Sequence, residues 1–132
     1  MIMDADVIII GGGPAGSTLA TLLARSGISV LLLEEKRMPR HKVCGEFITP
    51  EAMPALERLE VADAIHRAGA QKITRLCLAA SNGTKVETSI AEVSRGSQSA
   101  LSLSRAKFDQ ILFEKAKHAG AICLEGVAVK SC

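Results

Sequence analysis

Three consecutive glycines separate two patterns that cannot share one backbone conformation. Before them, Asp6-Val7-Ile8-Ile9-Ile10 is a short β-branched run, the composition of a strand buried in a parallel sheet. After them, Pro14 to Arg25 carries Ala15, Leu19, Leu22 and Leu23 at helical spacing. Pro14 suits the first helical turn, where a missing N–H costs nothing, and Ser26-Gly27 supplies an ordinary helix end. Val30 to Leu33 is a second apolar run, closed by Glu34-Glu35. Strand, glycine turn, helix, strand and acid make a βαβ unit, half of a doubly wound α/β sheet.

The turn itself is G-x-G-x-x-G, with Gly11, Gly13 and Gly16 at the fixed positions. Gly11 permits the tight turn off the strand, Gly13 lets the backbone approach a pyrophosphate, and Gly16 lets the helix pack close to the strand. The helix amino terminus then offers unpaired N–H groups and the positive end of its dipole to phosphate. Glu34 falls at the end of the second strand, about twenty residues on, where a carboxylate accepts hydrogen bonds from ribose hydroxyls. Glu35 points to the opposite face and is read as solvated. A free acid at that position disfavours NADP. Spacing alone leaves FAD and NAD both open.

Composition removes other classes. The chain has 132 residues, a formal charge of +2 and only three aromatic residues, all phenylalanine. A concentrated basic face and stacking platforms for nucleic acid are both missing from that balance, so no nucleic-acid partner is expected. Cys44, Cys77, Cys123 and Cys132 form no C-x-x-C pair, so no metal site is expected and free thiols in a reducing compartment are the default. Asp4 and Asp6 stand where a signal peptide needs basic residues, and no apolar run is long enough to span a membrane. The expected setting is the cytoplasm, with peripheral membrane contact left open.

Downstream, residues 36–49 read as a loop rich in positive charge: Lys36, Arg37, Arg40, His41 and Lys42. Thr49 followed by Pro50 and Glu51 predicts the start of a helix running to about residue 60, with Ala52, Leu56 and Leu59 on one face. A shorter helical piece covers Ala62 to Arg67. Asn82-Gly83 between two strand-like runs predicts a β-hairpin over about 72–90. Residues 91–99 read as loop and Leu101 to Leu103 as a short strand. Ser104 predicts the cap of a helix from Arg105 to His118, with Phe108, Ile111, Leu112 and Ala116 inward. Ala121 to Leu124 and Val127 to Val129 are strand-like.

Asp6 to Ser17 resembles the start of FAD-dependent oxidoreductases of the glutathione-reductase superfamily. Pro39-Arg40-His41-Lys42-Val43-Cys44-Gly45-Glu46 resembles a signature of geranylgeranyl reductase-like flavoproteins. Ser104-Arg105-Ala106-Lys107-Phe108-Asp109, with Leu112, Ala116 and Ala119-Gly120-Ala121, resembles the helix that follows in that group and in aromatic hydroxylases. The resemblance implies a Rossmann-like FAD-binding α/β fold with an inserted antiparallel hairpin. It divides the chain into a βαβ unit at 5–35, a flavin-side loop and helices at 36–70, the hairpin at 72–90, and a helix with returning strands at 100–130. It implies that Gly11, Gly13, Ala15 and Gly16 lie along the FAD diphosphate and that Glu34 holds the adenosine ribose. Cys44 and Gly45 lie near the flavin end, Arg105 contacts the cofactor from its helix start, and the Val129 backbone reaches the adenine. Independently, Arg105 at a helix start is unfavourable for the dipole, a cost that a nearby diphosphate would relieve. Cys44 is read in a backbone or packing role, and no general acid or base is assigned.

Members of that group carry a second FAD motif and a substrate domain, neither of which is in this sequence. The expectation is therefore an amino-terminal part of a larger enzyme, in which NAD(P)H reduces the flavin and an isoprenoid double bond is saturated. An aromatic or polyketide monooxygenase is the neighbouring alternative, and halogenases fit the Pro14-Ala15 turn less well. A truncated, non-catalytic dinucleotide-binding domain is the alternative of another class.

Overall fold

The computed structural model describes residues 4–44, 46–94 and 99–131. Strand β1 (Val7–Ile10), helix α1 (Pro14–Arg25) and strand β2 (Val30–Glu34) form where the local signals place them. β1 and β2 run parallel, with Ile9 opposite Leu32, as a helical crossover demands. The chain then passes through a two-residue strand β3 (Phe47–Ile48), a single 3-10 turn over Pro50–Ala52, and helices α2 (Met53–Arg58) and α3 (Ala62–Arg67). Strands β4 (Gln71–Ile73), β5 (Arg75–Ala79) and β6 (Lys85–Ser89) lead into a short helix α4 (Ile90–Val93). Strand β7 (Ala100–Ser102), helix α5 (Arg105–His118) and strand β8 (Ile122–Glu125) complete the order.

Among the described residues three sheets result. β8 joins the parallel sheet beside β2, giving the order β1-β2-β8. β3 and β4 flank β7 in an antiparallel sheet, and β5 with β6 forms a hairpin that pairs with no other strand among the described residues. One face of the parallel sheet packs against α1 and α5 through Ile9, Ala20, Val30, Leu32, Phe113, Ala116 and Ala121. A second cluster joins Ile48, Leu56, Leu59, Val61, Ile65, Leu101 and Leu103 to Leu112. Helix α5 thus belongs to both cores and locks the antiparallel sheet to the nucleotide-type unit. Among the described residues no helix is long and apolar enough to cross a membrane.

Several local expectations differ from what forms. β1 is not buried on both faces: Ile9 is covered, but Ile8 is 60% and Ile10 55% exposed. Among the described residues α1 and α5 cover one side of β1, so a β-branched run that reads as doubly buried shows the alternation of a half-covered strand. The stretch 36–49 is not all loop, because Phe47 and Ile48 pair with Ser102 and Leu101. Two residues carry no period, which is why the strand left no sequence signal. The helix expected over 50–60 splits into the 3-10 turn and α2, with Pro54 inside the first turn of α2. Thr49 is extended but makes no capping hydrogen bond.

The hairpin is shorter than its predicted span. β4 leaves it for the neighbouring sheet, and only 75–89 pair across the Asn82-Gly83 turn, where Gly83 has φ +86°. Ile90 opens α4 rather than ending a strand. Ser89 and Glu92 cap it reciprocally, each side chain taking the other's backbone N–H. That S-x-x-E spacing was legible in the sequence. Val127 to Val129 forms no strand among the described residues, although the Val127 N–H donates to the Glu34 carbonyl at 3.0 Å.

Candidate cofactor site

The turn between β1 and α1 is built by close approach. The Gly11 N–H donates to the Leu33 carbonyl at 2.7 Å, and Gly11 then takes φ +103°, a left-handed conformation that only glycine adopts at little cost. A side chain at Gly16 would run into the Gly11 carbonyl oxygen, so α1 can sit on the turn only with glycine there. Gly12, a variable position in the pattern, is equally constrained. A Cβ on it would lie 2.8 Å from the ring of Phe113 and 3.2 Å from the Glu34 Cβ. Sequence reasoning missed this because the partner comes from α5.

α1 begins with Gly13 as its N-cap. No side chain caps it and no acidic residue stands in its first turn. Its leading N–H groups therefore point, with the dipole, into an open cavity of about 670 Å³. Gly11, Gly13, Ala15 and Gly16 line that cavity, together with Glu34, Arg105 and Val129. Seven of the nine residues anticipated from the sequence are thus brought together. Cys44 is exposed and outside the lining, with its thiol beside the Arg105 guanidinium. Gly45 lies outside the described residues.

Behind the cavity wall runs a buried charge network. Glu34 Oε2 accepts from the Gly12 N–H at 2.8 Å and from Arg40 Nη2 at 3.2 Å, and Oε1 accepts from the Lys36 N–H at 3.0 Å. Arg40 Nε also sits 3.1 Å from Oε1, an ion pair without the alignment of a hydrogen bond. Arg40 reaches on to Asp109, donating from Nη1 to Oδ2 at 2.8 Å. Asp109 in turn receives Arg105 Nε at 2.8 Å on Oδ1 and Nη2 at 3.0 Å on Oδ2. Burial pushes the Glu34 carboxyl up, but the Lys36 N–H, the Arg40 guanidinium and the Gly12 N–H together hold it below its ordinary value. The Asp109 carboxylate, and then the Cys44 thiol, bind the Arg105 proton more tightly than usual.

The structure revises the argument from Arg105. Its unfavourable place at a helix start is offset within the protein, by Asp109 one turn on, and does not by itself call for an external anion. The sequence sets Asp109 and Arg40 in two separate resembling segments and pairs neither with the other. A signal for Asp109 existed: it lies on the inward stripe of α5 with Leu112, Phe113 and Ala116, where an acid is out of place unless paired.

These residues fit a dinucleotide diphosphate. A helix amino terminus free of side-chain caps, a glycine turn that admits close approach, and the cations Arg40, Lys42 and Arg105 face one cavity. Glu34, a buried carboxylate, stands at the tip of the adjoining strand, and Glu35, read from the sequence as pointing away, also lines the cavity. A family model described as an FAD binding domain matches residues 4–132. The chain belongs to that FAD-binding domain family. Its cofactor is FAD.

Relatives of this FAD-binding chain are flavin enzymes. A 1H-pyrrole-2-carbonyl-[peptidyl-carrier protein] chlorinase of Pseudomonas fluorescens is 31% identical over 144 residues, covering 96% of this chain and 32% of the relative. Menaquinone reductase of Mycolicibacterium smegmatis is 45% identical over 58 residues, covering 44% of this chain and 14% of the relative. Among solved structures, the myxobacterial chondrochloren halogenase CndH superposes with a TM-score of 0.80 at 30% identity, covering 92% of this chain and 28% of that one. The chain spans about a third or less of the length of the curated relatives it matches. Halogenases align over nearly the whole FAD-binding chain, so the expectation that they fit less well finds no support.

Proposed function

We propose that this chain holds the adenosine diphosphate portion of FAD in a flavin-dependent reductase of isoprenoid double bonds, whose flavin is reduced by NAD(P)H. The observation that carries the binding mode is the uncapped start of α1 beside Arg40, Lys42 and Arg105 in one cavity. The N–H groups around Gly13 and Ala15 receive the diphosphate there, and Gly11 and Gly16 keep the backbone close enough for them to do so. Glu34 retains acceptor capacity on Oε1 for a ribose hydroxyl. The Val127–Val129 segment also lines the cavity, and the Val129 backbone serves the adenine. Cys44 marks the way toward the flavin. When bound, FAD supplies redox chemistry that no side chain here can.

The reductase branch draws support from the higher identity, 45%, with menaquinone reductase and from the Pro39–Glu46 segment. A halogenase or monooxygenase reading is favoured by a different observation, the alignment of halogenases over 96% of the chain. The first test is to release cofactor from the purified chain and record its absorption spectrum. Flavin bands and an FAD mass are expected, and bound NAD without flavin overturns the reading. The second test supplies a prenylated quinone or a prenyl diphosphate with NADPH to the flavin-loaded protein carrying its substrate domain. NADPH oxidation that reduces the prenyl chain without taking up oxygen is expected. Uptake of oxygen with an aromatic substrate or a halide moves the protein to the second reading.

A further inference from the structure

We propose that Asp109 is a positioning residue for anion binding, one that never touches the ligand but sets the two guanidiniums that face it. The inference rests on the placement of the FAD diphosphate in the cavity beside Gly13. Asp109 is fully buried on α5 and does not line the cavity. Arg40 and Arg105 both do. They come from a loop and from a helix start, and the ladder that joins these segments, Phe47–Ile48 with Leu101–Ser102, lies several residues beyond Arg40. Asp109 joins them: Oδ2 receives Arg40 Nη1 at 2.8 Å and Arg105 Nη2 at 3.0 Å, while Oδ1 receives Arg105 Nε at 2.8 Å.

Each guanidinium is held by carboxylates at more than one nitrogen, yet N–H donors remain on both. Arg40 gives Nη1 to Asp109 and Nη2 to Glu34, and that Nη2 also stands 3.6 Å from where a Gly13 Cβ would be. Its guanidinium is therefore pinned directly beside the start of α1. A guanidinium has five N–H donors, and no more than three of Arg40's are engaged by the two carboxylates. Two carboxylates, Glu34 and Asp109, balance two guanidiniums, so the cluster is neutral and can remain buried without ligand. Its value to an anion lies in direction: donors already aimed at the cavity need no reorganisation when a phosphate arrives.

Charge and position make opposite forecasts for Asp109→Asn. The substitution removes a negative charge from beside an anion site, so charge alone would tighten binding of a diphosphate. An Asn offers one acceptor oxygen and turns an NH2 toward the guanidiniums, so loss of position would weaken it. The experiment compares ADP with adenosine on the purified chain, by titration calorimetry for ADP and ligand-observed NMR for the weaker adenosine. Melting curves confirm that each variant is folded. For Asp109→Asn we expect ADP to bind about tenfold more weakly, or worse, while adenosine changes by less than about threefold. Asp109→Glu, which keeps the charge but displaces the carboxylate by one methylene, should show the same split at smaller size and serves alone if the Asn variant does not fold. ADP affinity that is unchanged or raised, or ADP and adenosine affinities that fall in the same proportion, overturns the proposal. A wild-type chain that binds adenosine but gains nothing from the diphosphate overturns the placement of the diphosphate itself, and this inference with it.

Discussion

β2 and β5 are both five-residue strands rich in aliphatic side chains, and they end up in opposite environments. In β2, Leu32 is fully buried between two parallel neighbours and beneath α1 and α5. In β5, Leu78 is 70% exposed, and its cross-strand partner Val86 is exposed as well. The ion pairs divide the same way. Arg75 meets Glu87 at 2.6 Å in the hairpin, and Arg40 meets Asp109 at 2.8 Å behind the cavity. The distances are alike, but the first pair sits in water and the second is almost wholly enclosed. An exposed pair contributes up to about 1 kcal/mol, whereas removing one partner of a buried pair costs about 3–5 kcal/mol. Distance says that two charges meet, and burial says what the meeting is worth.

The contrast can be broken most forcefully at Phe113. It is fully buried, seals the parallel-sheet core and packs against Gly12. Phe113→Ala should destabilise the chain by about 3–5 kcal/mol, read as a lowered urea midpoint, and should weaken FAD binding because the floor of the glycine turn is lost. A cost under about 1 kcal/mol would mean that the nucleotide unit does not depend on α5.

A smaller effect is expected from acid. The folded Glu34 carboxyl is held below its ordinary value of 4.5 by its donors, so the folded chain binds fewer protons there than the unfolded chain. The stability this contributes is fully present above pH 4.5 and is lost as pH falls through the folded value. Denaturant unfolding between pH 6 and 3 should therefore slope more steeply for the wild type than for Glu34→Gln. Equal slopes would remove Glu34 from the buried network.

The smallest change belongs to the hairpin. Leu78→Thr should leave the unfolding midpoint within about 0.5 kcal/mol of wild type, since it removes little buried area. A loss above about 2 kcal/mol would show that the exposed hairpin face is covered in solution.

How much was legible follows from how far apart the interacting residues lie. The strand–turn–helix at Gly11–Gly16, the end of α1 at Gly27 and the cap at Ser104 are written in neighbouring residues, and a local reading finds them. The capping box at Ser89 and Glu92 is equally local, but it overlaps the alternating pattern of the hairpin strand that runs into it. The constraint on Gly12 and the pairing of Arg40 with Asp109 were not local. The latter partners lie 69 positions apart, and nothing at either position names the other. The site was therefore visible where phosphate meets backbone and hidden where side chain meets side chain.

That separation has a consequence for how the molecule comes into being. A ribosome adds roughly 5–20 residues per second, so Arg40 emerges about 3–14 seconds before the Asp109 that completes its pairing, 69 positions later. During that interval the glycine turn exists without Phe113 beneath it, and Ile9, Val30 and Leu32 have α1 but lack α5, the second helix that covers them. The signature that announces this protein at its first residues is thus among the last parts of the described chain to acquire its finished shape during synthesis.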